Sequence, residues 1–230
     1  MKKGTLIVFE GLDGSGKNTQ ANLLVGHLKE KFNKKANFLA FPNYKSRSSA
    51  LVQMYLNSEF GSNPGDVNVY AATSFFAVDR YASFKKEWES RYLNGEVFIC
   101  DRYTTSNTYY QMGKLPKSKW EDFLNWNYDF EYEKLGLPRP DAVIFLDMPV
   151  GVSQELMTER YEGDESKKDL HEANVSYLKK CEKAAKFTSE KDNWIRIDCL
   201  EKRKIKSRGK IHKEVLSVLS KKIAEIWSCK

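Results

Sequence analysis

The apolar run Leu6-Ile7-Val8-Phe9 passes through Glu10 directly into Gly11-Leu12-Asp13-Gly14-Ser15-Gly16-Lys17. After the lysine, Ala21, Leu23, Leu24, Val25 and Leu28 recur at helical spacing. A buried strand, a G-x-x-x-x-G-K turn and a helix in immediate succession leave few folds open. The glycines let successive backbone N–H groups turn onto phosphate oxygens, and the new helix presents its positive end. Lys17 adds a compact charge suited to the terminal phosphates of a nucleotide. The bland alternative, a glycine turn with an exposed lysine, does not call for the strand and helix that flank it here.

One position departs from the pattern. Ser or Thr normally follows the lysine and ligates Mg²⁺, whereas Asn18 stands there, with Thr19 next. An amide oxygen can ligate Mg²⁺, while Thr19 is turned about 100° around the helix. Mg²⁺ is therefore expected to be held mainly by phosphates, waters and nearby carboxylates, with Asn18 as a candidate ligand.

Further strands are predicted over residues 37–41, 97–100, 142–146 and 194–197, separated by helical patterns around 48–58, 68–93, 118–135, 151–160, 171–190 and 211–227. Apolar strands alternating with helices predict an α/β fold of the P-loop NTPase type, a five-stranded parallel sheet with helices on both faces. The 230 residues fit one domain spanning 1–230. No apolar run approaches the roughly 20 residues that cross a bilayer, and the apolar run after the basic start Met1-Lys2-Lys3 stops at Glu10, too short and too early for a secretory signal. Cys100, Cys181, Cys199 and Cys229 show no metal or redox spacing, so a reduced, cytoplasmic protein is expected. The net charge is +7, concentrated in Lys202, Arg203, Lys204, Lys206, Arg208, Lys210 and Lys213. That stretch reads either as a solvated loop or as a wall attracting anionic nucleotides.

Downstream motifs follow in a fixed order: Phe41-Pro42, then Phe76-Ala77-Val78-Asp79-Arg80, then Asp101-Arg102-Tyr103 with Ser106, Tyr110 and Gln111, then Pro138-Arg139-Pro140-Asp141. Asp101 and Arg102 follow a strand, at the edge where open α/β sheets bind ligands, and an arginine there suits a phosphate or simply a structural ion pair. Phe76 and Arg80 share one helix face; alone, they read as a core aromatic and a surface cation. With the phosphate loop, these motifs make residues 4–200 resemble the thymidylate kinase family.

The resemblance implies transfer of the γ-phosphoryl group of ATP to dTMP, with Mg²⁺, in a homodimer that serves neither membrane nor nucleic acid. Gly11, Asp13, Gly14, Ser15, Gly16, Lys17, Asn18 and Thr19 would meet ATP. Phe41, Phe76, Arg80, Ser106, Tyr110 and Gln111 would surround the acceptor, Phe76 stacking on thymine and Arg80 donating to a carbonyl oxygen. Arg102 would hold the 5′-phosphate, Asp101 the metal and arginine network through water, and Asp13 would accept from the 3′-hydroxyl. The acceptor is already a phosphate with a second pKa near ~6, so no dedicated base is required.

Two departures bear on the site. Gly14-Ser15 stands where some members place an arginine, which shifts the missing charge to a mobile lid at about 159–170. Arg160 is the first candidate there, with Lys167 or Lys168 second, and an exposed connection is the alternative. Tyr44 stands where members commonly carry an arginine, leaving Lys45 or Arg47 to reach the acceptor phosphate. Two other functions compete: another nucleoside or nucleotide kinase of the same fold, such as a deoxynucleoside kinase using Glu10 as base, and a non-catalytic nucleotide-binding or nucleic-acid-associated protein suggested by Asn18 and the charge.

Overall fold

The computed structural model of the protein describes residues 4–32 and 35–228; Met1–Lys3 and Cys229 lie outside them. Five parallel strands, β1 (Thr5–Glu10), β2 (Ala36–Ala40), β3 (Val97–Asp101), β4 (Ala142–Asp147) and β5 (Ile195–Asp198), form one sheet in the order β2-β3-β1-β4-β5. All six residues of β1 are buried, as a strand covered on both faces requires. Ile7 lies opposite Ile99 of β3 on one side and Ala142 of β4 on the other. The Asp141 carboxylate accepts from Leu6 N at 2.8 Å, fastening the start of β1 to β4.

Alternation along the strands divides the core in two. Leu6, Val8, Phe98, Cys100, Val143 and Phe145 face one cluster, and Ile7, Phe9, Ile99, Ile144 and Leu146 the other. Helices α1 (Lys17–Phe32) and α9 (Arg208–Ser228) cover the second through Leu24, Leu28, Val215 and Leu219. The first is covered by α5 (Thr104–Tyr110), α6 (Trp120–Tyr128) and α8 (Val175–Lys191) through Tyr109, Phe123 and Cys181. A smaller cluster joins α2 (Ala50–Leu56) and α3 (Val69–Ser83) around Val52, Tyr55 and Ala72. A π-helical turn, Phe84–Trp88, leads from α3 into α4 (Glu89–Leu93), and α7 is Val150–Arg160.

The five predicted strands and most helices stand where the apolar pattern put them. Two elements do not follow from it. Helix α5, whose sequence Thr-Thr-Ser-Asn-Thr-Tyr-Tyr has low intrinsic helix propensity, is buried at every residue. A hairpin of β6 (Leu200–Glu201) and β7 (Lys204–Ile205) occupies the basic stretch, turning through Lys202 and Arg203 at positive φ. The predicted helix start at 171 also moves: α8 begins at Val175, and residues 169–174 form turns. No helix among the described residues is long and apolar enough to cross a membrane.

Phe98 is fully buried at the centre of β3, its ring 5.2 Å from that of Trp88. Phe98→Ala is expected to cost about 3–5 kcal/mol, read as a lower urea midpoint with an unchanged slope.

Candidate active site

Two cavities open at the C-terminal ends of β1, β3 and β4. The first, of about 510 Å³, is lined by Asp13, Asn18, Phe41, Phe76, Arg80, Asp101, Arg102, Ser106, Tyr110, Gln111 and Arg160. The second, of about 600 Å³, follows the phosphate loop through Asp13, Gly14, Ser15, Gly16, Lys17, Asn18 and Thr19, and also reaches Asp101, Arg102 and Arg160. Asp13, Asn18, Asp101, Arg102 and Arg160 therefore line both, and mark where the two chambers meet. Gly11 lines neither. At φ 147° it is conformational, since an added Cβ would stand 2.6 Å from Ser15 Oγ and 2.8 Å from Leu146 O.

At the junction, Arg102 pairs through Nη2 with Asp13 Oδ1, and Tyr110 Oη donates to Asp13 Oδ2 at 2.6 Å. Arg102 is left-handed at φ 68°, on the residue where the chain leaves β3, and its N–H is held by Phe9 O at 3.0 Å. Such a conformation costs of order 1–3 kcal/mol and persists where surroundings impose it. Burial opposes ionisation of Asp13, yet the Arg102 and Lys17 charges and the Tyr110 hydroxyl outweigh it and hold its pKa well below the usual range. Burial, then Arg102, push the Lys17 pKa down to about 8 against the nearby carboxylates. Lys17 Nζ donates to Leu12 O at 2.8 Å. Asp101 Oδ1 is buried and has no partner among the described residues.

On the acceptor side, several side chains differ from expectation. Arg80 is not a surface cation: it is 2% exposed and bound side-on to Glu131, Nε to Oε2 and Nη2 to Oε1, both at 2.7 Å. Ser106 donates its hydroxyl proton to Glu10 at 2.7 Å, so it faces the cavity only as an acceptor. Gln111 is fully buried, and neither amide atom has a partner among the described residues. Phe76 stands edge-on to Tyr55, with ring centres 6.2 Å apart. Phe41 precedes a cis proline and packs on Tyr103.

Glu10 is excluded as a base. Its carboxylate is fully buried and accepts from Thr105 Oγ1 at 2.6 Å, Ser106 Oγ at 2.7 Å, Tyr109 Oη at 2.8 Å and Tyr103 N at 3.1 Å. Neither Lys45 nor Arg47 lines either of these two cavities, whereas Tyr44 lines the first. Lys167 lines the first cavity, but Lys168 is turned away, bound to Gln154 Oε1 at 3.0 Å and Glu165 Oε2 at 2.6 Å. Asn18 Oδ1 accepts from Asn22 Nδ2 at 3.2 Å. The basic stretch divides: Lys206 and Arg208 line the phosphate-loop cavity, while Lys210 pairs with Glu201 on the surface.

Among the cavity residues that the motifs do not name are Asn107, His171, Asp169 and Glu172. Asn107 adjoins Ser106, the motif residue that could have pointed to it. His171 stacks on Tyr110 at 5.2 Å and 14°, and bonds Tyr55 Oη at 2.8 Å. Asp169 and Glu172 lie beside it on the cavity wall, and burial with neighbouring Asp13 raises Asp169 to about 7. Nothing in a polar turn distinguishes these three in advance.

A thymidylate kinase family model matches residues 9–208. The chain belongs to the thymidylate kinase family. A thymidylate kinase of Plasmodium falciparum is 31% identical over 223 residues, covering 96% of this chain and 91% of that protein. One from Caenorhabditis elegans is 33% identical over 69% of this chain and 68% of that protein. The solved thymidylate kinase of Candida albicans shares the fold, with a TM-score of 0.70 at 23% identity over 95% of this chain and 92% of the other. Membership makes the chain a phosphotransferase of the nucleoside monophosphate kinase class.

Only protonated Lys17 attracts phosphates, and nucleotide binding favours that form. The Kd for ATP is therefore expected to be flat below about pH 7 and to rise toward tenfold per unit above about pH 8. Calorimetry across that range checks it; Lys17→Arg, always charged, should remove the break.

Proposed function

We propose that the chain transfers the γ-phosphoryl group of ATP to dTMP, giving dTDP and ADP for dTTP synthesis. The observation that carries this reading is the meeting of two chambers across Asp13, Asn18, Asp101, Arg102 and Arg160. One chamber carries the phosphate loop and the other carries aromatic and amide groups suited to a base. Phosphoryl transfer between two anions needs alignment and charge screening rather than proton abstraction. The walls supply that: backbone N–H groups and Lys17 on the donor side, and Arg102 and Arg160 where the phosphates approach.

In this reading ATP phosphates lie on Gly14–Thr19, with the adenine between Met148, Leu156, Ile205 and Ile211. The acceptor phosphate meets Arg102, its 3′-hydroxyl donates to Asp13, and its base lies along Phe76, Arg80, Asn107 and Gln111. Tyr110, held by Asp13 and stacked on His171, fills the space beside the sugar. A Mg²⁺ ion would suit the junction: Asp101 Oδ1 is a buried acceptor without a donor among the described residues, and Asn18 lines the same two cavities. Asp101 would hold the ion through water and Asn18 through its amide oxygen, and the ion would neutralise phosphate charge. Among the described residues no cluster of three His, Cys, Asp or Glu side chains offers a site of its own.

Residues 159–170 act as the lid of a single domain, with Arg160 bringing the transition-state charge and Lys167 beside it. A reduced, cytoplasmic setting suits the buried free thiols of Cys100, Cys181 and Cys199. A homodimer would cover the exposed Val78 and Tyr81 on α3.

A coupled assay is expected to give turnover with dTMP, less with dCMP and none with thymidine. The 3′-deoxy analogue of dTMP should lose about 10- to 100-fold in kcat/KM, the value of one hydrogen bond to a charged group. Equal rates with and without the 3′-hydroxyl would remove Asp13 from the acceptor site. Arg160→Ala is expected to lower kcat by about 10²–10³ with little change in either KM; a KM effect alone would sink its transition-state role.

A further inference from the structure

Glu131 belongs to none of the sequence motifs. It lies in the π-helical stretch Asp129–Lys134 that extends α6, and it is fully buried. Its carboxylate serves two other elements at once. Besides gripping Arg80 of α3 along one edge, Oε1 accepts from Nδ2 of Asn107 in α5 at 2.9 Å. The Thr73 carbonyl oxygen stands 3.5 Å from the same nitrogen. Arg80 and Asn107 line the acceptor cavity, whereas Glu131 does not.

The polarity of that wall follows from donor and acceptor inventory. A carboxylate paired with a guanidinium only accepts, and a guanidinium only donates. Asn107 must therefore turn Nδ2 toward Glu131 and Thr73, which leaves Oδ1 on the other side of the amide. Oδ1 accepts no hydrogen bond among the described residues. Nε and one edge of Arg80 are taken, leaving the Nη1 donors on the side away from Glu131. The wall thus offers a donor and an acceptor side by side, set by a residue that lines neither cavity.

We propose that Glu131 is a positioning residue for base selectivity: it holds Arg80 as a donor and Asn107 as an acceptor toward the carbonyl and N3–H edge of thymine or uracil. The inference rests on dTMP as the acceptor. Cytosine presents the reverse edge, an amino donor beside an unprotonated N3. Both protein groups would then be left unpaired, the circumstance that hydrogen-bonding sites reject most strongly.

Glu131→Leu tests this. It removes both acceptor oxygens, so Arg80 is no longer gripped along one edge and the Asn107 amide is free to present either end to the cavity. Steady-state kinetics with dTMP, dUMP and dCMP should show the dTMP/dCMP ratio of kcat/KM falling on the order of 10- to 100-fold. The ATP KM should stay within about twofold, since the wall faces only the acceptor. A folded Glu131→Leu enzyme with wild-type selectivity, or with equal losses on all three acceptors, would overturn the role of Glu131. Wild-type protein that turned over no dTMP would instead overturn the function on which the inference rests. Should Glu131→Leu not fold, Asn107→Ala decides, because it removes the acceptor and leaves the ion pair in place. It should cost dTMP and dUMP tenfold or more, roughly, and dCMP much less; uniform loss overturns the proposal.

Discussion

Glu10 ends β1 with a carboxylate shielded from solvent and surrounded by four donors, three of them from α5. A buried charge costs several kcal/mol unless its oxygens are satisfied, and here each oxygen accepts twice. Burial still raises the Glu10 pKa, outweighing the hydrogen bonds of Thr105 and Ser106. The same carboxylate explains how a segment of low helix propensity becomes a helix. It stands at the N-terminal turn of α5, where a negative charge meets unpaired N–H groups and the positive end of the helix dipole. Because Glu10 immediately precedes Gly11, α5 is tied to the root of the phosphate loop. Asp13, Tyr110 and Asn107 hold their relative positions through that tie, as does Ser106, whose hydroxyl donates to Glu10.

An acidic residue inside a phosphate loop looks unfavourable until its neighbours are counted. Asp13 is matched by Arg102 across the junction and oriented by Tyr110. Arg102 itself is kept charged: burial would lower its pKa, but Asp13 together with Tyr110, Tyr109 and Asp101 more than offsets that. Lys17 likewise rests on a carbonyl of the loop. On the proposed reading, the cations that would serve phosphates have protein partners of their own, and substrate would compete for them. That competition would favour ligands bringing a full phosphate charge together with a hydroxyl for Asp13, and disfavour either group alone.

The parts legible in the sequence were those in which local pattern and position coincide. β1, the loop and α1 are contiguous, so apolar run, glycine spacing and helical period all fall within one short stretch. Phe76 and Arg80 were legible as a pair because four residues make one turn. What escaped depends on distant pairing. Glu131 sits in Glu-Tyr-Glu-Lys, where nothing local separates a buried carboxylate from its exposed neighbour Glu133, which pairs with Arg139 at the surface. His171 matters through its stacking on Tyr110, sixty-one positions earlier (171 minus 110). Lys167 and Lys168 are adjacent in sequence, yet only Lys167 lines the first cavity, Lys168 being bound to Gln154 and Glu165.

The surplus of positive charge finds its place by the same logic. Lys202 to Lys213 is neither wholly a solvated loop nor wholly a binding wall. The β6–β7 hairpin turns Lys202 and Arg203 outward, pairs Lys210 with Glu201, and delivers Lys206 and Arg208 to the phosphate-loop cavity. Arg208 opens α9, a helix with no acidic residue in its first turn. Basic side chains at that end oppose the helix dipole, a local cost in the protein alone. A polyanion in the adjoining cavity reverses the sign, because the helix end and the basic side chains then act together on one negative ligand. Of the charge that resembles a nucleic-acid footprint in composition, only Lys206 and Arg208 line that chamber, Lys206 paired with Glu214 at 2.8 Å, so geometry and not net charge sets what the stretch can meet.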